Sequence, residues 1–257
     1  MFSNYYLVGR SGLPLWISII VLSFVSSIVI FLKYGVFIFL LFRFISLFYI
    51  IVFWTYLVGF ERISGKHRKK FLDALKFSFG LFVFSELIFF ISVFWTFFDS
   101  ALSPSVELGG NWSPSGVNPI NPLGVPLFNT VILLRSGVTL TWSHNNLLRN
   151  KNSIIGLLFT LLLAFIFEFT QYFEFCESTF SISDGIFGSI FFFGTGFHGI
   201  HVMFGHIFLT YNLIRLLYNN FTSLNHVGYE FSILYWHFVD VVWLFLYCFF
   251  YLYSFGF

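Results

Sequence analysis

Apolar residues run along this chain in blocks of about twenty or more, separated by short polar clusters. Neither the two-residue alternation of a half-exposed strand nor the narrow apolar stripe of a soluble helix dominates. Blocks of that length predict membrane-spanning helices, near residues 15–32, 35–60, 71–99, 127–148, 153–177, 185–217 and 228–254. The breaks are distinct in kind. Gly65 to Lys70 is a basic loop, and 103–126 holds five of the six prolines, which predicts a structured loop outside the membrane. No fixed-period repeat interrupts the series. The expectation is one all-α, polytopic domain over 1–257 with seven crossings, helices 1 and 2 (1–60) forming a subdivision apart from helices 3 to 7 (71–254).

Composition supports the class. Hydrophobic residues make up 58% of the chain, aromatics 25% and charged side chains only 9%, which excludes a soluble globule. A formal net charge of +2 gives no basic surface for nucleic acid. Most cations mark topology instead: ten of the thirteen Lys and Arg fall at helix ends that seven alternating crossings place on one side. The opposite loops carry Asp99, Glu107, Glu174, Glu177 and Asp184. The N-terminus is therefore expected on the side of protein synthesis and the C-terminus on the other. Cys176 and Cys248 lie 72 positions apart, with no CxxC pattern for a thiolate metal site, and read as small apolar filler. The 43 phenylalanines against three alanines suggest a T-rich coding sequence of organellar type. The first ten residues lack the features of a cleavable targeting segment.

Candidate chemistry rests on the few ionisable groups inside the spans, where each needs protein or water around it. Glu230, His237 and Asp240 share the last helix, His237 and Asp240 three apart on one face. His198 and His201 also lie three apart, a spacing that could grip a metal, with His206 further along. No acidic or thiolate co-ligand follows on that helix, and Gly196, Gly199 and Gly205 suit close approach of neighbouring helices. Structural hydrogen bonding is the expectation for these histidines, and no metal. Glu86 lies fifteen positions after Phe71, roughly 22 Å along a helix at ~1.5 Å per residue, so it is expected near mid-bilayer and protonated unless water or a cation reaches it. Arg135 and Glu168 stand sixteen residues before and seventeen after Lys151. An antiparallel hairpin brings them to the same depth, and a buried ion pair is expected. At the basic-loop boundary, Trp54, Glu61, His67 and Arg68, with Arg215 and His226 on the same side, suit a phospholipid headgroup.

Several segments carry a family resemblance, in order: Ser85-Glu-Leu-Ile-Phe-Phe; Phe94-Trp-Thr-Phe-Phe-Asp-Ser-Ala-Leu-Ser-Pro; Asn121-Pro-Leu-Gly-Val-Pro-Leu-Phe-Asn-Thr; Ser136-Gly-Val-Thr-Leu-Thr-Trp-Ser-His; Phe180-Ser-Ile-Ser-Asp-Gly; Thr195-Gly-Phe-His-Gly-Ile-His-Val; and Tyr235-Trp-His-Phe-Val-Asp-Val-Val-Trp-Leu-Phe-Leu-Tyr. Through them the chain resembles the cytochrome c oxidase subunit III family; residues 1 to 60 are similar in hydropathy and helix count alone.

The resemblance implies a non-catalytic core subunit of respiratory complex IV in the mitochondrial inner membrane, with the N-terminus in the matrix and the C-terminus toward the intermembrane space. It implies direct packing on subunit I, association with subunit II and other subunits, and support of electron transfer from cytochrome c to oxygen and of proton pumping by subunit I. Haem a, haem a3 and copper would sit in partner subunits. This chain would bind structural phospholipid in a cleft between its first two helices and the other five. Glu86 matches the family's membrane carboxyl that reacts with dicyclohexylcarbodiimide, which implies either a part in proton uptake by subunit I or a protonated carboxyl hydrogen-bonded within the bundle. The family's Trp-Arg-Asp motif is absent near Trp54, Asn145 stands where a second histidine is usual, and Arg135 and Glu168 occupy positions that are usually uncharged. Two other classes compete: subunit III of a quinol oxidase, and an independent proton-coupled transporter with Glu86, Glu230, His237 and Asp240 as a relay. Internal repeats and broken helices, usual in such transporters, are absent from the pattern.

Overall fold

The structure is a computed structural model that describes residues 11–65, 69–106 and 109–256, with Arg62 and Ile63 by backbone alone. Seven helices form and, among the described residues, no strand: α1 (Leu13–Tyr34), α2 (Phe37–Ile63), α3 (Lys69–Leu102), α4 (Val125–Leu148), α5 (Ile154–Glu177), α6 (Gly185–Leu217) and α7 (Val227–Leu246). Beyond Leu246 the last helix continues in wider π-helical turns over Tyr247–Tyr253. Each element lies within a few residues of its expected bounds.

Among the described residues, all the helices but α4 are long and apolar enough to cross a membrane, so six candidate spans stand against seven expected. The exception has a physical cause. Along α7, Tyr229, Trp236 and Trp243 recur at seven-residue intervals, and each is fully buried. Each donates to a hydroxyl of α4: Tyr229 Oη to Ser143 Oγ at 2.8 Å, Trp236 Nε1 to Ser136 Oγ at 2.8 Å, and Trp243 Nε1 to Thr130 Oγ1 at 3.0 Å. Helix α4 is polar because it supplies the acceptors for this antiparallel ladder. Seven residues are close to two helical turns, so each helix returns the same face to the seam.

The chain divides into two compact units, Met1–Phe77 and Ser78–Phe257, and the boundary falls inside α3 rather than at residue 60. In the first unit α1 and α2 form a hairpin. Gly35, in the left-handed conformation at φ 69°, returns its N–H to Phe31 O at 2.8 Å and lets the chain reverse within two residues. Phe24 meets Phe44, but almost no side chain of either helix is buried, so both outer faces are left for lipid or protein.

In the second unit α4 packs on α5 and α7, and α6 packs on α5 and α7. Asn150, at φ 54°, closes α4. The α4–α5 hairpin is then drawn tight by Ser143 Oγ donating to Ser153 O at 2.6 Å and by the Thr139–Thr160 hydroxyl pair at 2.8 Å. A Cβ on Gly205 would meet the Trp236 ring at 2.9 Å, and one on Gly194 would run into the Phe250 ring. The expected close approach holds at Gly205. At Gly196 and Gly199 it does not, because both face open space on the outer side of α6. The 103–126 segment is anchored by Trp112, whose indole donates to Ser254 Oγ at 3.2 Å and packs edge-on against Phe97. Cys176 and Cys248 are both exposed.

Candidate functional site

Helices α3 and α6 bring Glu86 to His201. The Glu86 Oε2 to His201 Nε2 distance is 2.8 Å, with side chains 27% and 11% exposed. The other ring nitrogen, Nδ1, lies 2.7 Å from Phe197 O, a carbonyl that only accepts. Nδ1 therefore carries a proton, and in the neutral ring Nε2 is a bare acceptor. A hydrogen bond of 2.8 Å then requires a second proton between Nε2 and the carboxyl oxygen, held by Glu86 as an acid or by His201 as an imidazolium. Phe90 packs edge-on against the imidazole and Tyr235 lies parallel to it, so the pair is walled by aromatic carbon. A single shared proton in an apolar wall is what the arrangement offers chemically.

His198 points the opposite way. It is fully buried between Phe167 and Trp243, ring centroids 5.9 and 5.1 Å away, and neither nitrogen has a hydrogen-bond partner among the described residues. The hydrogen-bonding role expected for it is not found, and the i, i+3 spacing serves two different neighbours rather than one ligand. His206, a turn and a half on, meets Glu168: Nδ1 to Oε1 is 3.1 Å. Among the described residues, no three His, Cys, Asp or Glu side chains converge so as to hold a metal.

The Glu168–His206 contact corrects the expected Arg135–Glu168 ion pair. Arg135 is exposed, on the α4 stripe of Val131, Leu134, Val138 and Trp142, which turns away from the bundle. Equal depth in a hairpin sets height and says nothing of azimuth. Glu168 is rotated toward α6, where a histidine waits.

On α7, His237 Nδ1 lies 3.4 Å from Asp240 Oδ2, and Nε2 lies 3.5 Å from Thr141 Oγ1 on α4. Asp240 is buried against Gly137, with its other oxygen lacking a partner among the described residues. Glu230 Oε1 is 3.3 Å from His226 Nε2, which is itself 3.3 Å from His144 Nε2; His226 Nδ1 donates to Thr222 O at 3.1 Å. Glu86, Asp240 and Glu230 thus each pair with a different histidine.

Of the residues expected at a headgroup, Arg215 stacks over Phe221 at 4.2 Å and Tyr211 at 5.7 Å, whereas His226 is buried with both nitrogens turned to protein. Trp54 and Glu61 are half-buried on α2. His67 and Arg68 lie outside the described residues.

A further buried cluster escaped the sequence reading. Tyr251 Oη donates to Glu174 Oε1 at 2.6 Å, and Gln171 links Tyr251 Oη (3.5 Å) with Asn129 Nδ2 (3.3 Å). Thr170 donates to the Asn129 side-chain oxygen. Glu174 sits three residues from the end of α5 and reads in sequence as an outer-loop acid. Only its i, i+3 relation to Gln171 hinted otherwise.

Comparison with known proteins agrees with this architecture. A sequence description of the family "Cytochrome c oxidase subunit III" matches residues 3–255. A cytochrome c oxidase subunit 3 from Yarrowia lipolytica is 53% identical over 73% of this chain and 70% of its own length. Proteins of the same name from Struthio camelus and Drosophila melanogaster are 42% and 44% identical, each over 95% of this chain and 95% and 94% of their own.

Proposed function

Since the chain belongs to the cytochrome c oxidase subunit III family, we propose that it works as a non-catalytic core subunit of respiratory complex IV in the mitochondrial inner membrane. In this reading α4 is the seventh crossing, the N-terminus faces the matrix and the C-terminus the intermembrane space. The chain packs on subunit I beside subunit II. Haem a, haem a3 and copper reside in those partners, and this chain supports their electron transfer and proton pumping without a redox centre of its own.

The observation that carries a functional rather than purely architectural role is the Glu86–His201 pair, which holds one proton between an acid and a base inside an aromatic wall. Such a pair exchanges a proton with water or a neighbouring acid by a small rearrangement, which suits support of proton entry into subunit I. The relay of an independent transporter is disfavoured by the partition of Glu86, Asp240 and Glu230 among His201, His237 and His226, which leaves three separate pairs rather than a chain. Structural phospholipid completes the reading. Arg215 is read as a phosphate contact within the second unit, and Trp54 and Glu61, taken separately, as lipid contacts within the first.

The test has two arms. Gently solubilised membranes run on a native gel should show the chain co-migrating with a haem a-containing band that oxidises cytochrome c; migration alone or with a haem-free assembly sinks the reading. Within that complex, Glu86→Gln should change the rate of inactivation during turnover or the protons pumped per electron. If both are unaltered, the pair is architectural.

A further inference from the structure

Arg135 stands eleventh of the 24 residues of α4, within about 2 Å of its midpoint at ~1.5 Å per residue. Its side chain is exposed, and among the described residues no carboxylate comes within ion-pair distance of it. Snorkelling brings an arginine head group to the membrane boundary only from near a helix end, so a guanidinium at mid-helix needs a partner at its own depth.

The surface beside it is shaped to receive one. A groove of about 590 Å³ runs between α4 and α7, walled by Leu134, Val138 and Trp142 on one side and Val241 and Leu244 on the other. His237, with 42% of its side chain exposed, and Asp240 lie in its floor. Asp240 Oδ1 is buried there without a hydrogen-bond partner among the described residues.

We propose that this α4–α7 face docks a membrane-spanning helix of a different polypeptide, apolar along the groove and presenting a carboxylate to Arg135 at mid-depth. A lipid does not meet the need, because its acyl chains carry no charge and its phosphate lies at the boundary. A second copy of this chain related by a two-fold axis through the face does not meet it either, since it would set Arg135 near its own counterpart. The groove supplies apolar contact and the arginine supplies register, since a charge pair in hydrocarbon tolerates little axial slip. The inference rests on the reading of α4 as a crossing helix within a complex.

The test uses the assembled, membrane-embedded complex with Val138→Cys, 69% exposed in Val138 of this structure, labelled with benzophenone maleimide. After irradiation, adducts are mapped by mass spectrometry; the exposed Cys176 and Cys248 serve as internal references. The expected product is an adduct on a membrane helix of another chain, within two turns of an Asp or Glu. Its yield should fall about tenfold with Arg135→Glu, which sets like charges together, and survive Arg135→Lys. Lipid adducts alone, adducts to this chain alone, no adduct at Val138→Cys, or a yield indifferent to Arg135→Glu would each overturn the proposal. Reaction of Val138→Cys with a membrane-impermeant maleimide would overturn it for a separate reason, because α4 would not then cross the bilayer.

Discussion

Removing His201 should cost more than neutralising Glu86, and the reason lies in which atoms carry protons. Because His201 Nδ1–H is held by Phe197 O at 2.7 Å, Nε2 can only accept in the neutral ring; with the shared proton on the carboxyl it accepts from Glu86, and that assignment is the one tested. In Glu86→Gln the amide N–H donates to the same nitrogen, so the bond survives and a loss below about 0.5 kcal/mol is expected. In His201→Leu the carboxyl of Glu86 keeps its desolvation but loses its partner. A buried polar group left unmatched costs ~1–3 kcal/mol, and Glu86 retains 27% of its exposure, which places the expected loss near the lower end, about 1–1.5 kcal/mol. Intramembrane hydrogen bonds rarely exceed ~1.7 kcal/mol in double-mutant cycles, which bounds the figure from above. Glu86→Leu and His201→Leu are the singles of a closed cycle: replacing both residues by Leu removes both polar groups and should recover roughly 1 kcal/mol relative to the sum of those two single changes. The assay is equilibrium unfolding of the detergent-solubilised protein by SDS titration across the four members of the cycle and Glu86→Gln. A double variant whose loss equals the sum of the singles would show no coupling. Glu86→Gln proving worse than His201→Leu would refute the proton assignment.

Other outcomes follow from the packing. Gly194→Ala drives a methyl into the Phe250 ring and should destabilise by ~1–3 kcal/mol in the same titration, whereas Gly199→Ala, which meets nothing within 4 Å among the described residues, should be neutral or slightly stabilising. Trp236→Phe loses the donor to Ser136 Oγ and leaves part of the indole volume empty, for a loss of about 1–3 kcal/mol; an unchanged unfolding midpoint would argue against the α4–α7 ladder. Tyr251→Phe strips Glu174 Oε1 of the tyrosine donor while Oε2 has no partner among the described residues, so a loss of ~1–3 kcal/mol is expected, largely relieved by adding Glu174→Leu.

The sequence by itself determined the class, the number of helices and their bounds. Spans of apolar residues must close their backbone hydrogen bonds internally in lipid, so length and composition alone dictate helices. It also marked which ionisable residues needed an explanation, because a charge within a span is costly wherever it points. What it could not determine was azimuth. Arg135 and Glu168 reach equal height, yet one faces outward and the other turns to His206. Gly205 packs against Trp236 while Gly196 and Gly199, on the same helix, meet nothing within 4 Å. His198 and His201 share a spacing and serve different helices. The seven-residue recurrence of Tyr229, Trp236 and Trp243 was present in the sequence, but its meaning depended on Ser143, Ser136 and Thr130 being turned toward it. Helical rise is a property of the chain and can be counted along it. The rotation of one helix against another is set by how all their side chains interlock, and only the tertiary structure decides that.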